Sequence, residues 1–193
     1  MNTAQPIRDL QELENLKNYY KDVCPHPRNY LLITMGLNTA LRISDELSLK
    51  WEDVYNFEAH NFKEHINLIE RKTGKINQIY INEQIRNALE SYLTEFEEIK
   101  PKEALFVSRC SKNEQISRVQ AFRIVKKAAD YAHIEGVISC HSLRKTFGYH
   151  AWKQGISPVL LMNIFNHSSF DITKRYLGIE QDDKDQVYRS ICL

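Results

Sequence analysis

His65-Ile66-Asn67-Leu68-Ile69-Glu70-Arg71-Lys72-Thr73-Gly74-Lys75-Ile76-Asn77-Gln78-Ile79-Tyr80-Ile81 is the stretch where the apolar period of this chain changes. Over 65–70 and 76–81 apolar and polar residues alternate, as they do when successive side chains point to opposite faces of a half-buried strand. Arg71 to Lys75 lies between the two runs and offers Gly74 for a positive φ. The pattern predicts a β-hairpin with one arginine and two lysines near its tip.

Elsewhere the period is helical. Leu10, Leu13 and Tyr20 mark an amphipathic first helix, which Cys24-Pro25-His26-Pro27 breaks. Tyr30 to Leu41 is a long apolar run, expected as a buried helix, and Ser44 to Leu49 as a short one with acidic first-turn residues. Glu83 to Glu97 reads as a helix with Ile85, Leu89, Tyr92, Leu93 and Phe96 on one face. A strand-like piece, Leu105-Phe106-Val107, follows. Ser117 is expected to cap a helix to about His133, buried through Val119, Phe122, Val125 and Ala129. Three more helices are expected over 141–154, 157–165 and 169–177, with Gly155 closing the first and Pro158 in the first turn of the second. The expected class is mainly α with a small antiparallel β-sheet (α+β), arranged as a single domain over 1–193 with a C-terminal tail over 179–193.

The 193 residues are 42% hydrophobic and 26% charged, ordinary for a globular chain, and with 6 Gly and 5 Pro they exclude collagen-like and Pro/Gly-rich disordered classes. No apolar run reaches the ~18 residues of a membrane helix, and the first residues carry no apolar signal core, so no membrane association is expected. Cys24, Cys110, Cys140 and Cys192 form no C-x-x-C pair, which argues against a zinc ribbon or a disulfide framework and for a reduced, cytoplasmic protein. The net charge is +1, but it is unevenly spread. Residues 1–60 hold six basic against nine acidic side chains; residues 105–127 hold Arg109, Lys112, Arg118, Arg123, Lys126 and Lys127 against Glu114. Such a patch suits phosphate at one face, or is a solvated helix face.

Several separate pieces then line up in chain order. Arg42 stands at a helix junction in Leu41-Arg42-Ile43-Ser44-Asp45-Glu46-Leu47; Lys72 is on the hairpin; His141-Ser142-Leu143-Arg144 opens a helix; Asn166-His167-Ser168-Ser169 begins a turn, and Tyr176 follows His167 by nine residues. Singly each piece has a structural reading: a helix-end cation, a loop histidine, an interfacial tyrosine. Together, over about residues 7–180, they resemble the tyrosine recombinases, the phage-integrase family. The likeness is to short single-domain members of the fimbrial phase-variation type, with no separate N-terminal core-binding domain, or to a truncated integrase.

The resemblance implies a site-specific DNA recombinase. Tyr176 would be the nucleophile, leaving a 3′-phosphotyrosyl link and a free 5′-hydroxyl. Arg42 and Arg144 would hold the non-bridging oxygens of the phosphate and stabilise the charge that grows there in the transition state. His141 would accept a proton, Lys72 would protonate the departing 5′-oxygen, His167 would donate a hydrogen bond to the phosphate, and Asp45 would orient a catalytic side chain. Lys75, Arg109, Arg118, Arg123, Lys126, Lys127 and Lys145 are the expected DNA contacts. No metal is expected, because no paired carboxylates sit at nuclease spacing and no Gly-rich phosphate loop is present, and no cofactor, because the phosphotyrosyl bond conserves the energy of cleavage. The expected partner is double-stranded DNA, with four copies assembling on it and a monomer or weak oligomer when free. The apolar tail end, Val187, Tyr188, Ile191 and Leu193, is expected to cover a neighbouring subunit or its own core. Three departures stand out: Ala40 where the family commonly has Gly, Lys145 where a second His is frequent, and Asn166 in place of Gly before His167. Two alternatives remain at this level: a DNA-binding regulator without catalysis, and a type IB topoisomerase.

Overall fold

The computed structural model describes residues 4–72, 74–108, 114–179, 185 and 188–191. Its centre is α2 (Pro27–Asn38), which buries Leu31, Leu32, Ile33 and Met35 completely and packs on α5 (Glu83–Leu93) and α7 (Cys140–Lys153). The helix starts at a proline, whose fixed φ suits the first turn. Gly36 lets α7 come close: a Cβ there would sit 2.7 Å from Leu143 Cδ1. Ahead of it, α1 (Leu10–Asn18) is capped by Asp9 Oδ1, which accepts from the backbone N–H of Gln11 and Glu12, and ends in a π-helical turn, Tyr19–Val23, that buries both tyrosines.

α3 (Ile43–Glu46) is a single turn. α4 (Trp51–Val54) leads into a pair of two-residue strands, β1 (Tyr55–Asn56) and β2 (Asn61–Phe62). The expected hairpin is present as β3 (His65–Ile69) and β4 (Ile76–Tyr80), antiparallel, with His65 opposite Tyr80 and Ile69 opposite Ile76. Among the described residues there are therefore two separate two-stranded sheets rather than one. Leu105-Phe106-Val107 forms no strand; isolated bridges flank it, Lys50 with Ala104 and Val107 with Gln115, and Leu105 and Phe106 are fully buried.

α6 (Arg118–Tyr131) starts at Ser117, whose Oγ accepts from the Gln120 N–H at 3.1 Å. It buries Ala121, Ile124, Val125, Ala128 and Ala129, whereas Val119 and Phe122 are 59% and 43% exposed. The helix carries apolar residues on more than one face, and docking selects the one bearing the small alanines.

A second, smaller core joins α7 to α8 (Pro158–Phe165) and α9 (Phe170–Leu177) through Ala40, Tyr149, Phe165, Leu177 and Ile179. Ile179, assigned above to the tail, is fully buried here. Gly148 makes this core possible, because a Cβ there would lie 2.5 Å from Leu177 Cδ2 and 2.6 Å from Phe165 Cζ. No helix among the described residues is long and apolar enough to cross a membrane.

Gly148→Val should destabilise the fold by about 1–3 kcal/mol, because its side chain drives Phe165 and Leu177 off α7. Urea denaturation measures the loss; an unchanged midpoint would show that α8 and α9 do not rest on this contact.

Candidate active site

Arg144 is the buried centre of the site. It lies on α7, one turn after the Ser139–Ser142 capping box, and is 3% exposed. A guanidinium removed from water needs acceptors. Nη1 donates to the Ala40 carbonyl and Nη2 to the Phe165 carbonyl at 3.1 Å. These carbonyls lie at the C-terminal ends of α2 and α8, where helix ends leave acceptors unpaired and the dipole favours a cation. The guanidinium also lies 4.7 Å from the Phe165 ring centroid, and its charge acts on the Tyr176 phenol. Two of its N–H groups are thus committed to backbone, so Arg144 does not present its whole fork outward as expected. Ala40 has φ +54, a left-handed conformation that costs a non-glycine residue roughly 1–2 kcal/mol, and its carbonyl serves Arg144.

Arg42 is the N-cap of α3, in extended backbone, and its Nη1 lies 2.6 Å from Glu70 Oε2. Glu70 was not among the expected site residues, yet it is 1% exposed and also accepts from Asn166 Nδ2 at 2.8 Å and Asn77 Nδ2 at 3.3 Å. The strand pattern held a signal for it. Ile66 and Leu68 face inward on β3, and Glu70 continues that parity, so a carboxylate falls where the alternation calls for an apolar residue. Asp45 is 1% exposed and its Oδ1 accepts from the Arg71 backbone N–H at 3.1 Å. It orients the hairpin backbone rather than a catalytic side chain. Lys72 is exposed on the turn, close enough for its charge to act on His167.

His167 follows α8, its Nδ1 3.0 Å from Thr173 Oγ1 and its ring 5.5 Å from Phe165 and 5.2 Å from Tyr176. Burial, then the charges of Arg144, Arg42 and Lys72, hold its pKa below the usual imidazole value. His141, in the first turn of α7, is exposed; desolvation by its neighbours, then Arg144, Lys145, Arg42 and Arg118, lower its pKa as well. Both rings are therefore neutral near pH 7. Burial raises the pKa of Tyr176, while the charge and hydrogen bond of Arg144 and the charge of Arg42 oppose that rise. The resting phenol keeps its proton. The Cys140 thiol beside His141 is pushed up to about 12 by burial and the Glu46 carboxylate, so it is an inert thiol.

Lys145, expected on DNA, is half-buried with its ammonium 4.9 Å from the Tyr176 ring centroid, and burial lowers its pKa. Lys75, Arg118, Arg123, Lys126 and Lys127 are exposed. Lys126 pairs with Asp130 at 2.5 Å, and Lys127 lies 5.8 Å from the Tyr19 ring. Arg109 lies outside the described residues. Arg42, Arg144, His167 and Tyr176 thus form one cluster, with His141 within electrostatic reach and Lys72 on the adjoining turn.

The family model described as "Phage integrase family" matches residues 9–182. The chain is 39% identical over 189 residues to the "Probable integrase/recombinase YoeC" of Bacillus subtilis, covering 98% of this chain and 97% of that protein. The crystal structure of XerA recombinase superposes with a TM-score of 0.76 at 21% identity, covering 97% of this chain and 66% of that one. XerH bound to a palindromic difH substrate, in a post-cleavage complex, superposes at 0.74 and 17% identity, covering 96% of this chain and 53% of that one. The chain therefore spans about half to two thirds of those two structures, and nearly the whole of the Bacillus protein.

Arg42→Ala would leave Glu70 buried without its cation, and stability should fall by about 3 kcal/mol, toward the low end for a broken buried pair because Arg42 keeps some solvent contact. Arg42→Ala/Glu70→Gln should recover most of it in chemical denaturation; a double variant no more stable than Arg42→Ala would show that the pair is not what holds these segments. The histidines make a second test. NMR titration should place both ring midpoints below 6.5. As pH falls through 6.5 the unfolded chain takes up these protons before the folded one, so acidification removes stability. Between about pH 7.5 and 5.5 the melting temperature should drop more for the wild type than for His141→Gln/His167→Gln. Midpoints at or above 6.5 would contradict the desolvation and positive field described for the site.

Proposed function

The chain belongs to the phage integrase family and is a tyrosine recombinase, and on that premise we propose that Tyr176 cleaves DNA in the site built around Arg144. The observation that carries this reading is the clustering of Tyr176 with Phe165 and His167, at 5.5 and 5.2 Å between rings, around the buried Arg144 guanidinium, whose charge and that of Arg42 act on the phenol. A scissile phosphate needs positive charge that strengthens as its oxygens gain charge in the five-coordinate state. Arg42 and the N–H groups that Arg144 has left over supply it. His167 donates a hydrogen bond to a phosphate oxygen, its orientation set through Thr173.

The phenol oxygen of Tyr176 attacks phosphorus as neutral His141 takes its proton. The bond from phosphorus to the 5′-oxygen breaks, and Lys72, on its exposed turn, protonates that oxygen. The products are a 3′-phosphotyrosyl link and a free 5′-hydroxyl. Attack by a 5′-hydroxyl of another strand reverses the step, so joining requires no cofactor. Lys145 sits under the Tyr176 ring, its ammonium 4.9 Å from the ring centroid.

The substrate is double-stranded DNA in the cytoplasm, and the XerH complex with difH DNA supports that partner by likeness of fold. Arg118 and Arg123, exposed on α6 next to the exposed Val119 and Phe122, are the contacts offered to the duplex, with Lys75 on the hairpin. Tyr188 and Ile191 are 79% and 59% exposed in the single chain. Apolar area left in water forfeits roughly 25 cal/mol per Å², which supports docking of this end on a neighbouring copy in a tetramer on DNA.

A duplex selected from a randomised library for tightest binding to Tyr176→Phe, and nicked near the cleavage point, provides the substrate for a test. Wild-type protein should accumulate a covalent adduct that survives denaturing electrophoresis, and Tyr176→Phe should bind equally but form none. An adduct in Tyr176→Phe, or its absence in the wild type, would overturn the reading.

A further inference from the structure

Glu70 is a buried carboxylate on which three separate segments meet. Oε2 takes Nη1 of Arg42 at 2.6 Å; Oε1 takes the side-chain amides of Asn166 at 2.8 Å and Asn77 at 3.3 Å. Its backbone closes the turn that carries Lys72, donating to the Lys75 carbonyl at 2.9 Å and accepting from Gly74 at 2.8 Å. The next residue, Arg71, donates its N–H to Asp45 at 3.1 Å. The hairpin end is therefore pinned beside Arg42 by one side chain and beside Asp45 by one backbone group.

Asn166 explains its own place in this arrangement. It caps α8 with φ +53, a left-handed conformation that asparagine tolerates better than most side chains. Glycine would reach that conformation more easily but brings no amide to Glu70. The residue immediately before His167 is thus tied to the carboxylate that holds Arg42.

We propose that Glu70 is a positioning residue that sets Arg42, the Lys72 turn and the His167 segment relative to one another for cleavage, an inference that rests on the recombinase reading above. The chemistry requires a carboxylate. Arg42, Asn166 and Asn77 all present donors to it, and an ionised carboxylate is acceptor-only. Glutamine has the same shape, but its NH₂ would face one of those donors.

The experiment uses the selected, nicked duplex and the full chain, with binding, melting and single-turnover adduct formation measured on each variant. Glu70→Gln should bind DNA within about twofold of wild type but form the adduct on the order of 100-fold more slowly, the penalty of displaced catalytic groups. Asn166→Gly keeps the backbone conformation and should fold even where Glu70→Gln does not. It should slow the adduct by a smaller factor, and it should add little in a Glu70→Gln background, because both act through one contact. Wild-type rates in both single variants, a loss that tracks melting or binding instead, or effects that multiply in the double variant would overturn the proposal. A wild-type protein that forms no adduct would overturn the recombinase reading itself.

Discussion

The rest of the structure depends on keeping Arg144 charged while almost wholly removed from water. A buried cation of this kind is tolerated only where acceptors surround it. The chain supplies them at the ends of two helices, the carbonyls of Ala40 after α2 and Phe165 at the end of α8. From its place on α7 the guanidinium thereby bolts the end of α8 to the segment that leaves α2. The same bolt places α9, and so Tyr176, against it. Fold and site share one interaction here, and Gly148 is the space that lets it close.

The electrostatics follow from concentrating cations in one place. Arg42, Arg144, Lys145 and the Lys72 turn surround two histidines and a tyrosine, and desolvation together with the positive field lowers the pKa of both imidazoles. Glu70 is the counterweight: it lies against Arg42, and its charge also favours the cationic form of Arg144. A resting site with that much positive charge and little anion is arranged for an anionic guest, whose arrival would relieve repulsion among the arginines.

Much of the fold was legible because the chain punctuates it. The period change over 65–81 marked the hairpin, and Ser117, Gly155, Pro158 and Ser169 marked helix ends to within a residue or two. Two-residue strands such as Tyr55–Asn56 and Asn61–Phe62 carry no period to read, and α4 is a single turn. Val119 and Phe122 were placed inside because larger apolar residues are the natural choice for a core; docking instead used the alanines, which allow close approach. In the site, residue types in order pointed to the cluster of Arg42, Arg144, His167 and Tyr176. The place of Lys145 over the Tyr176 ring was not legible, since nothing local distinguishes a lysine beneath a tyrosine ring from one on the surface. Ala40 and Asn166 stood out in sequence as departures from glycine, and both proved to have positive φ and to hold a charged partner.

On the reading proposed above, this cluster transfers a phosphodiester to one particular phenol, that of Tyr176. The most direct measurement is peptide mapping by mass spectrometry of the protein–DNA adduct trapped on a nicked duplex. Trypsin cuts after Arg175, so the account predicts the nucleotide on the peptide that begins at Tyr176, attached through its 3′-phosphate. A nucleotide on any other tyrosine, such as Tyr149 or Tyr188, or one attached through a 5′-phosphate, would contradict it.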